Sequence, residues 1–143
     1  MKTFYFSKMI EIYTDGSCKE NFGGYAFVIL FPNNLEIHWS DSVHPTTNNR
    51  MELIAVIEAL KTLLSTTTTK EEQQITIYSD SLWVINCAQN LWKRNKNLDL
   101  WEEYNSLSQK YNNIHFIKVK AHSGNFYNEI CDKMAYNEIS NLC

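Results

Sequence analysis

The stretch Met9-Ile10-Glu11-Ile12-Tyr13-Thr14-Asp15-Gly16-Ser17 decides how the chain folds. Ile10, Ile12 and Thr14 alternate with other side chains and are β-branched, which is the period-two pattern of a half-buried strand. The run closes on Asp15. A second short run, Ile75 to Ser79, closes in the same way on Asp80. If the two runs are parallel neighbours in one sheet, both aspartates end side by side. Sites in open α/β sheets lie beyond such strand ends, where the topology switches.

Working outward, Gly16-Ser17 and then Asn21 with Gly23-Gly24 read as turn residues before a second strand, Tyr25 to Phe31. Pro32-Asn33-Asn34 reads as a hairpin turn into a third strand, Leu35 to Ser40. Helical spacing then takes over at Met51, Ile54, Ile57, Leu60 and Leu64, with Thr46-Thr47-Asn48 offering capping oxygens. Thr66 to Glu72 reads as an exposed loop. After the strand at Ile75 come helices over Ser81–Gln89 and Asp99–Tyr111, a strand over Ile114–Val119 and a helix over Asn125–Ile139. The expected fold class is α/β: a five-stranded mixed sheet, three antiparallel strands then two parallel, flanked by helices. Residues 1–143 are expected to form a single domain, since a chain of this length usually folds as one unit.

With 44% hydrophobic and 20% charged residues and no long block of like charge, the chain is built to fold around a core. Its net charge of −3 argues against a broad basic surface for nucleic acid. Lys93, Arg94 and Lys96 do cluster, as do Lys118 and Lys120, and each group also reads as solvated surface charge. Cys18, Cys87, Cys131 and Cys143 show no C-x-x-C pair and no zinc spacing. Met1 to Met9 is short and not continuously apolar, so no signal peptide is expected there, and no run approaches the ~18 apolar residues of a membrane span. Reduced thiols, a cytoplasmic location and a monomer are expected.

Four acidic residues carry the chemistry: Asp15, Glu52 in Asn48-Asn49-Arg50-Met51-Glu52-Leu53, Asp80 in Ser79-Asp80-Ser81, and Asp132 after His122. Brought together, they would repel by roughly 4 kcal/mol per close pair at an effective dielectric of 20. Such a cluster persists when cations neutralise it, which points to a divalent-metal site and phosphoryl-transfer chemistry. Singly, each has a plainer reading. Asp15 and Asp80 suit turns, Glu52 suits a helix N-terminus, and Asp132 suits an exposed helix face. His122 alone reads as a surface histidine, and Trp83 and Trp101 alone read as packing. His38, His44 and His115 are read as structural.

In order along the chain, these segments resemble the ribonuclease H type 1 family. The resemblance runs from Ile10 to about Ile139. It is carried by Tyr13-Thr14-Asp15-Gly16-Ser17-Cys18, Thr46-Thr47-Asn48-Asn49-Arg50-Met51-Glu52-Leu53, Ser79-Asp80-Ser81, Asn97-Leu98-Asp99-Leu100-Trp101, Ala121-His122-Ser123-Gly124 and Asn128-Glu129-Ile130-Cys131-Asp132. It implies the ribonuclease H-like fold and an endonuclease cutting the RNA strand of RNA–DNA hybrids, with 5′-phosphate and 3′-hydroxyl products. It implies that Asp15, Glu52, Asp80 and Asp132 bind two Mg²⁺ ions, with Mn²⁺ able to substitute, and that His122 assists proton transfer or product release. It also implies that Asn48, Asn49 and the backbone at Cys18 sense 2′-hydroxyls, and that Asn21, Thr47 and Asn97 hold a DNA phosphate. Trp83 and Trp101 would meet DNA sugars.

The chain departs from the family pattern in three places. The turn after Cys18 is short, Leu82 stands where relatives often have glutamine, and between Gln89 and Asn97 only Lys93-Arg94-Asn95-Lys96 remains of a longer basic protrusion. Weaker and more salt-sensitive hybrid binding is expected from that last difference, unless a partner supplies the basic surface. A binding module that has lost catalysis would show a replaced carboxylate, and none is replaced. A transposase or junction resolvase of the same superfold would lack the Asn-Asn-Arg-Met-Glu-Leu and His-Ser-Gly segments.

Overall fold

The computed structural model describes residues 9–66 and 73–140. β1 (Met9–Lys19) lies at the centre of a five-stranded sheet of order β3-β2-β1-β4-β5. β2 (Phe22–Leu30) and β3 (Glu36–Val43) extend it on one side as an antiparallel meander. β4 (Gln74–Ser79) and β5 (Asn113–Lys118) extend it on the other side, both parallel to their neighbours. The expected three-plus-two mixed sheet is the observed one.

Helices cover both faces. α1 (Asn48–Thr66), α2 (Leu82–Ala88) and α3 (Leu98–Ser108) pack on one side, and α4 (Phe126–Ser140) packs on the other. The alternation of β1 divides its side chains between the faces: Ile10 and Ile12 join Met51, Leu53, Leu60 and Leu63 in the main core. Tyr13 points the other way and joins Ala26, Val28, Cys131 and Ala135 beneath α4. In α3, Leu100, Tyr104 and Leu107 are buried as their spacing predicts, and Trp101 is buried with them. No helix among the described residues is long and apolar enough to cross a membrane.

Of the residues expected in the first turn, Asn21 lies in it and the others do not. Gly16-Ser17 and Gly23-Gly24 are strand residues, with Ser17 opposite Gly24 and Cys18 opposite Gly23. The reversal is made by Glu20 and Asn21, both left-handed at φ 54° and 68°, as a two-residue hairpin requires. The glycines serve helix approach instead. A Cβ on Gly23 would collide with Thr46 and Met51, and one on Gly24 with the Ala135 carbonyl of α4. Pro32-Asn33-Asn34 does form the second turn, with Asn34 at φ 71° and the Phe31 amide donating to the Leu35 carbonyl at 2.9 Å.

Element ends move modestly. α1 runs through Thr66, which the loop reading had excluded, and the rest of that loop lies outside the described residues. Ser81 caps α2 rather than opening it, its hydroxyl accepting from the Val84 amide at 3.1 Å. β3 starts and ends later than expected, at Glu36 and Val43.

Candidate active site

The parallel pairing of β1 with β4 sets the site. Their register ends at Tyr13 opposite Tyr78, and two residues further on it brings Asp15 level with Asp80. Side-chain contacts fix that alignment: the Thr14 hydroxyl donates to the Tyr78 carbonyl at 3.1 Å, and the Tyr13 and Tyr78 rings stack at 4.3 Å. Glu52 comes down from the second turn of α1. It reaches the aspartates because Gly16 has no side chain; a Cβ there would lie 2.5 Å from the Glu52 nitrogen.

Asp15, Glu52 and Asp80 thereby place one carboxylate oxygen each within 4.8 Å of one another. Asp15 is 4% exposed. Burial first, then the charges of Asp80 and Asp132, push its carboxyl up to about 8, and the Gly16 amide donating to Oδ1 at 2.9 Å only partly offsets this. Burial and the charges of Asp15 and Asp80 likewise hold Glu52 well above the ordinary carboxylate range. Glu52 Oε1 is buried with no hydrogen-bond partner. Hard, crowded carboxylate oxygens, one of them orphaned, fit a divalent cation such as Mg²⁺ or Mn²⁺. These three residues could hold it.

Asp132, on α4, approaches Asp15 from the opposite face, close enough to raise the Asp15 carboxyl by its charge and by a hydrogen bond. It also belongs to a second group with His122 and Glu129, whose ligand atoms lie within 4.8 Å of each other. The His122 side chain is 73% exposed, and its Nδ1 stands 3.9 Å from Asp132 Oδ2. Its backbone is left-handed at φ 55° on the short loop before α4. Glu129 was not singled out from the sequence, although its position one helical turn before Asp132 on the same face is a usable signal.

The remaining predicted residues divide. Thr47, Asn48, Asn49 and Asn97 line one recess of about 340 Å³, joined by Lys96, which the sequence reading had left among surface charges. Asn21 is not part of that wall. It sits in the β1–β2 turn, where its carbonyl accepts from the Thr46 amide at 3.0 Å and so steadies the approach to α1. Cys18 is half-buried, with its thiol donating to the Thr46 carbonyl at 3.5 Å.

Trp101 requires a correction. It is 2% exposed and lies edge-on to Trp83 at 5.6 Å, so its ring packs in the core and meets no surface ligand. Arg94 also leaves the surface basic cluster. Its guanidinium stacks 4.5 Å from the Trp101 ring centroid and donates to the Cys87 and Ala88 carbonyls at the end of α2. The exposed aromatic of this region is Trp92, beside Leu91. Between α2 and α3 the chain has no further helix, so the long basic protrusion is absent here.

A mixed five-stranded sheet with a carboxylate cluster at the ends of its central parallel strands is the architecture of the ribonuclease H fold class. An RNase H family model matches residues 7–140. Ribonuclease H of Acetivibrio thermocellus is 42% identical over 148 residues, covering 92% of this chain and 95% of that protein. Ribonuclease H of Campylobacter jejuni is 40% identical over 138 residues, covering 90% and 89%. Among solved structures, LC11-RNase H1 in complex with an RNA/DNA hybrid superposes with a TM-score of 0.81 at 21% identity, over 93% of this chain and 98% of that one. The chain belongs to the ribonuclease H family.

Proposed function

We propose that this chain is a single-domain endonuclease that hydrolyses the RNA strand of RNA–DNA hybrids, leaving 5′-phosphate and 3′-hydroxyl ends. The observation that carries the reading is the convergence of Asp15, Glu52 and Asp80 within 4.8 Å at the ends of β1 and β4, in a chain of the ribonuclease H family. Asp15, Glu52, Asp80 and Asp132 would hold two Mg²⁺ ions, with Mn²⁺ able to replace them. When bound, such a pair supplies Lewis-acid charge and a water that ionises near neutral pH.

The chain's own residues supply position. Gly16 and the Thr14–Tyr78 bond keep the carboxylates in register, so little reorganisation accompanies reaction. His122 passes a proton at the edge of the cluster and moves aside for the product, a role supported by its exposure on its loop and its 3.9 Å distance from Asp132. Asn48, Asn49 and the backbone at Cys18 read the 2′-hydroxyls that distinguish RNA from DNA. Thr47 and Asn97 engage a phosphate of the DNA strand, and Trp83 faces the DNA sugars with the buried Trp101 behind it. The hybrid complex of LC11-RNase H1 supports the choice of substrate. The protein acts as a monomer in the cytoplasm.

The test is cleavage of an end-labelled RNA–DNA hybrid with Mg²⁺, Mn²⁺ or EDTA, beside RNA–RNA and DNA–DNA duplexes and an Asp80→Asn control. Metal-dependent cutting of the hybrid's RNA strand alone is expected. Absence of cutting under either metal at low salt overturns the proposal.

A further inference from the structure

Asn97 is held in a way that its place before α3 does not explain. Its backbone is left-handed at φ 57°, and its side chain makes no capping bond to α3. The carboxamide oxygen instead accepts from Arg50 Nη1 at 3.0 Å. Arginine carries only donors, so it is the amide oxygen that faces Arg50, and the NH₂ is left for the recess that Asn97 lines.

The guanidinium is itself pinned. Asp99 accepts from Arg50 Nη1 at 3.1 Å and from Nη2 at 2.8 Å, the fork-on-fork arrangement that fixes a guanidinium in its plane. Arg50 belongs to the first turn of α1 and Asp99 to the first turn of α3, so one ion pair ties together two walls of the recess. The pair is partly solvent-exposed, with side chains 30% and 64% accessible, and such pairs contribute little to stability. Its geometry, rather than its energy, is what the recess uses.

We propose that Arg50 and Asp99 form a positioning clamp that presents the Asn97 NH₂ to a phosphate of the hybrid's DNA strand, while Lys96 supplies the charge. The proposal rests on the hybrid-nuclease reading above and adds to it how the recess is oriented. A free asparagine amide turns over readily, and the flipped form would aim its oxygen at an anion. The clamp removes that form. Lys96, exposed on the same wall, provides attraction without direction.

The test uses the full chain and hybrids carrying a single uncharged methylphosphonate walked along the DNA strand. The wild-type protein is expected to show one position where neutralisation raises KM about tenfold, the loss of one charge-assisted hydrogen bond. Asp99→Asn is expected to raise KM by a similar factor with kcat retained, and to erase the penalty at that position. Arg50→Ala and Asn97→Ala should be non-additive, because each removes the same contact. Lys96→Ala should instead lower the slope of log affinity against log salt by about 0.9 while leaving the methylphosphonate position visible. Thermal melting of each variant separates these effects from misfolding.

A wild-type KM and an unchanged methylphosphonate profile in Asp99→Asn overturn the clamp. The same scan read as hybrid binding in EDTA keeps the two readings apart. A wild type that binds with this profile but never cuts overturns the nuclease and supports the clamp. A wild type that cuts with a flat profile does the reverse.

Discussion

Gly16 of β1 lies directly beneath the Met51–Glu52 peptide of α1, so close that a single added methyl would fall 2.5 Å from the Glu52 nitrogen. The strand therefore sets how near Glu52 comes to Asp15. Gly16→Ala must push α1 outward or shift β1. We expect a loss of about 1–3 kcal/mol from overpacking, read by denaturant melting, and a larger fall in metal-dependent cleavage as Glu52 moves away from the aspartates. Full activity in a folded Gly16→Ala protein would show that this approach is not needed.

Asp15→Asn and Asp80→Asn each remove a charge from the proposed metal site without changing side-chain volume. Cleavage is expected to fall roughly a thousandfold or more, given what single electrostatic groups contribute in active sites. The fold should survive, and the metal-free variants should melt no lower than wild type, because repulsion within the cluster is relieved. Retained turnover in either purified variant, with contamination excluded, would sink the metal-site assignment.

The pH dependence has a definite sign. The metal-free Asp15 carboxyl is pushed up to about 8, against an ordinary value near 4, so the folded state binds more protons than the unfolded state between these pH values. Stability should therefore decline as pH rises from about 4 to about 8 in EDTA. Glu52, shifted in the same direction, adds to the trend. Added Mg²⁺ should raise the melting temperature more at pH 8 than at pH 5, because protons compete for the ligands at low pH. A metal-induced shift that is larger at pH 5 would contradict the cluster as the binding site.

Arg94 holds the end of α2 through the Cys87 and Ala88 carbonyls and stacks on Trp101. Arg94→Ala should cost about 1–3 kcal/mol in stability, from lost charged hydrogen bonds and the cation–π contact. The salt dependence of hybrid binding should stay close to wild type. A change in salt slope with no change in melting would return Arg94 to the binding surface.

His122 is largely exposed, with Nδ1 3.9 Å from Asp132 Oδ2. His122→Ala is expected to leave melting unchanged and to lower kcat by about 10²-fold, with KM little affected, as removal of a general acid–base group does. An unchanged kcat under single-turnover and steady-state conditions would remove His122 from the mechanism.

The fold class was legible because period-two and helical apolar patterns are local. Ile10, Ile12 and Thr14 mark a strand, and Met51, Leu60 and Leu64 mark a helix, whatever surrounds them. The carboxylates were legible because each sits in a distinctive segment. The second turn was legible in Pro32-Asn33-Asn34, but the first only in Asn21, since glycine has two uses that look alike in a sequence. It permits positive φ, and it permits close approach; Gly16, Gly23 and Gly24 serve the second, while Glu20 and Asn21 take the positive φ. Trp101, read alone as packing, is buried as that reading expects, and only the family resemblance assigned it to DNA sugars. Arg94 read as surface charge because no local pattern shows that it stacks on Trp101.

By itself, the sequence determined the order of elements, because side-chain periodicity is local, and its resemblance to the ribonuclease H family, carried by short segments, singled out the four acidic residues. Only the tertiary structure decided that Asp15, Glu52 and Asp80 converge within 4.8 Å, that Glu129 joins His122 and Asp132, and that Arg50 reaches Asp99 and Asn97. Those relations join residues tens of positions apart. They depend on strand register and on how closely helices pack, and no local pattern encodes either.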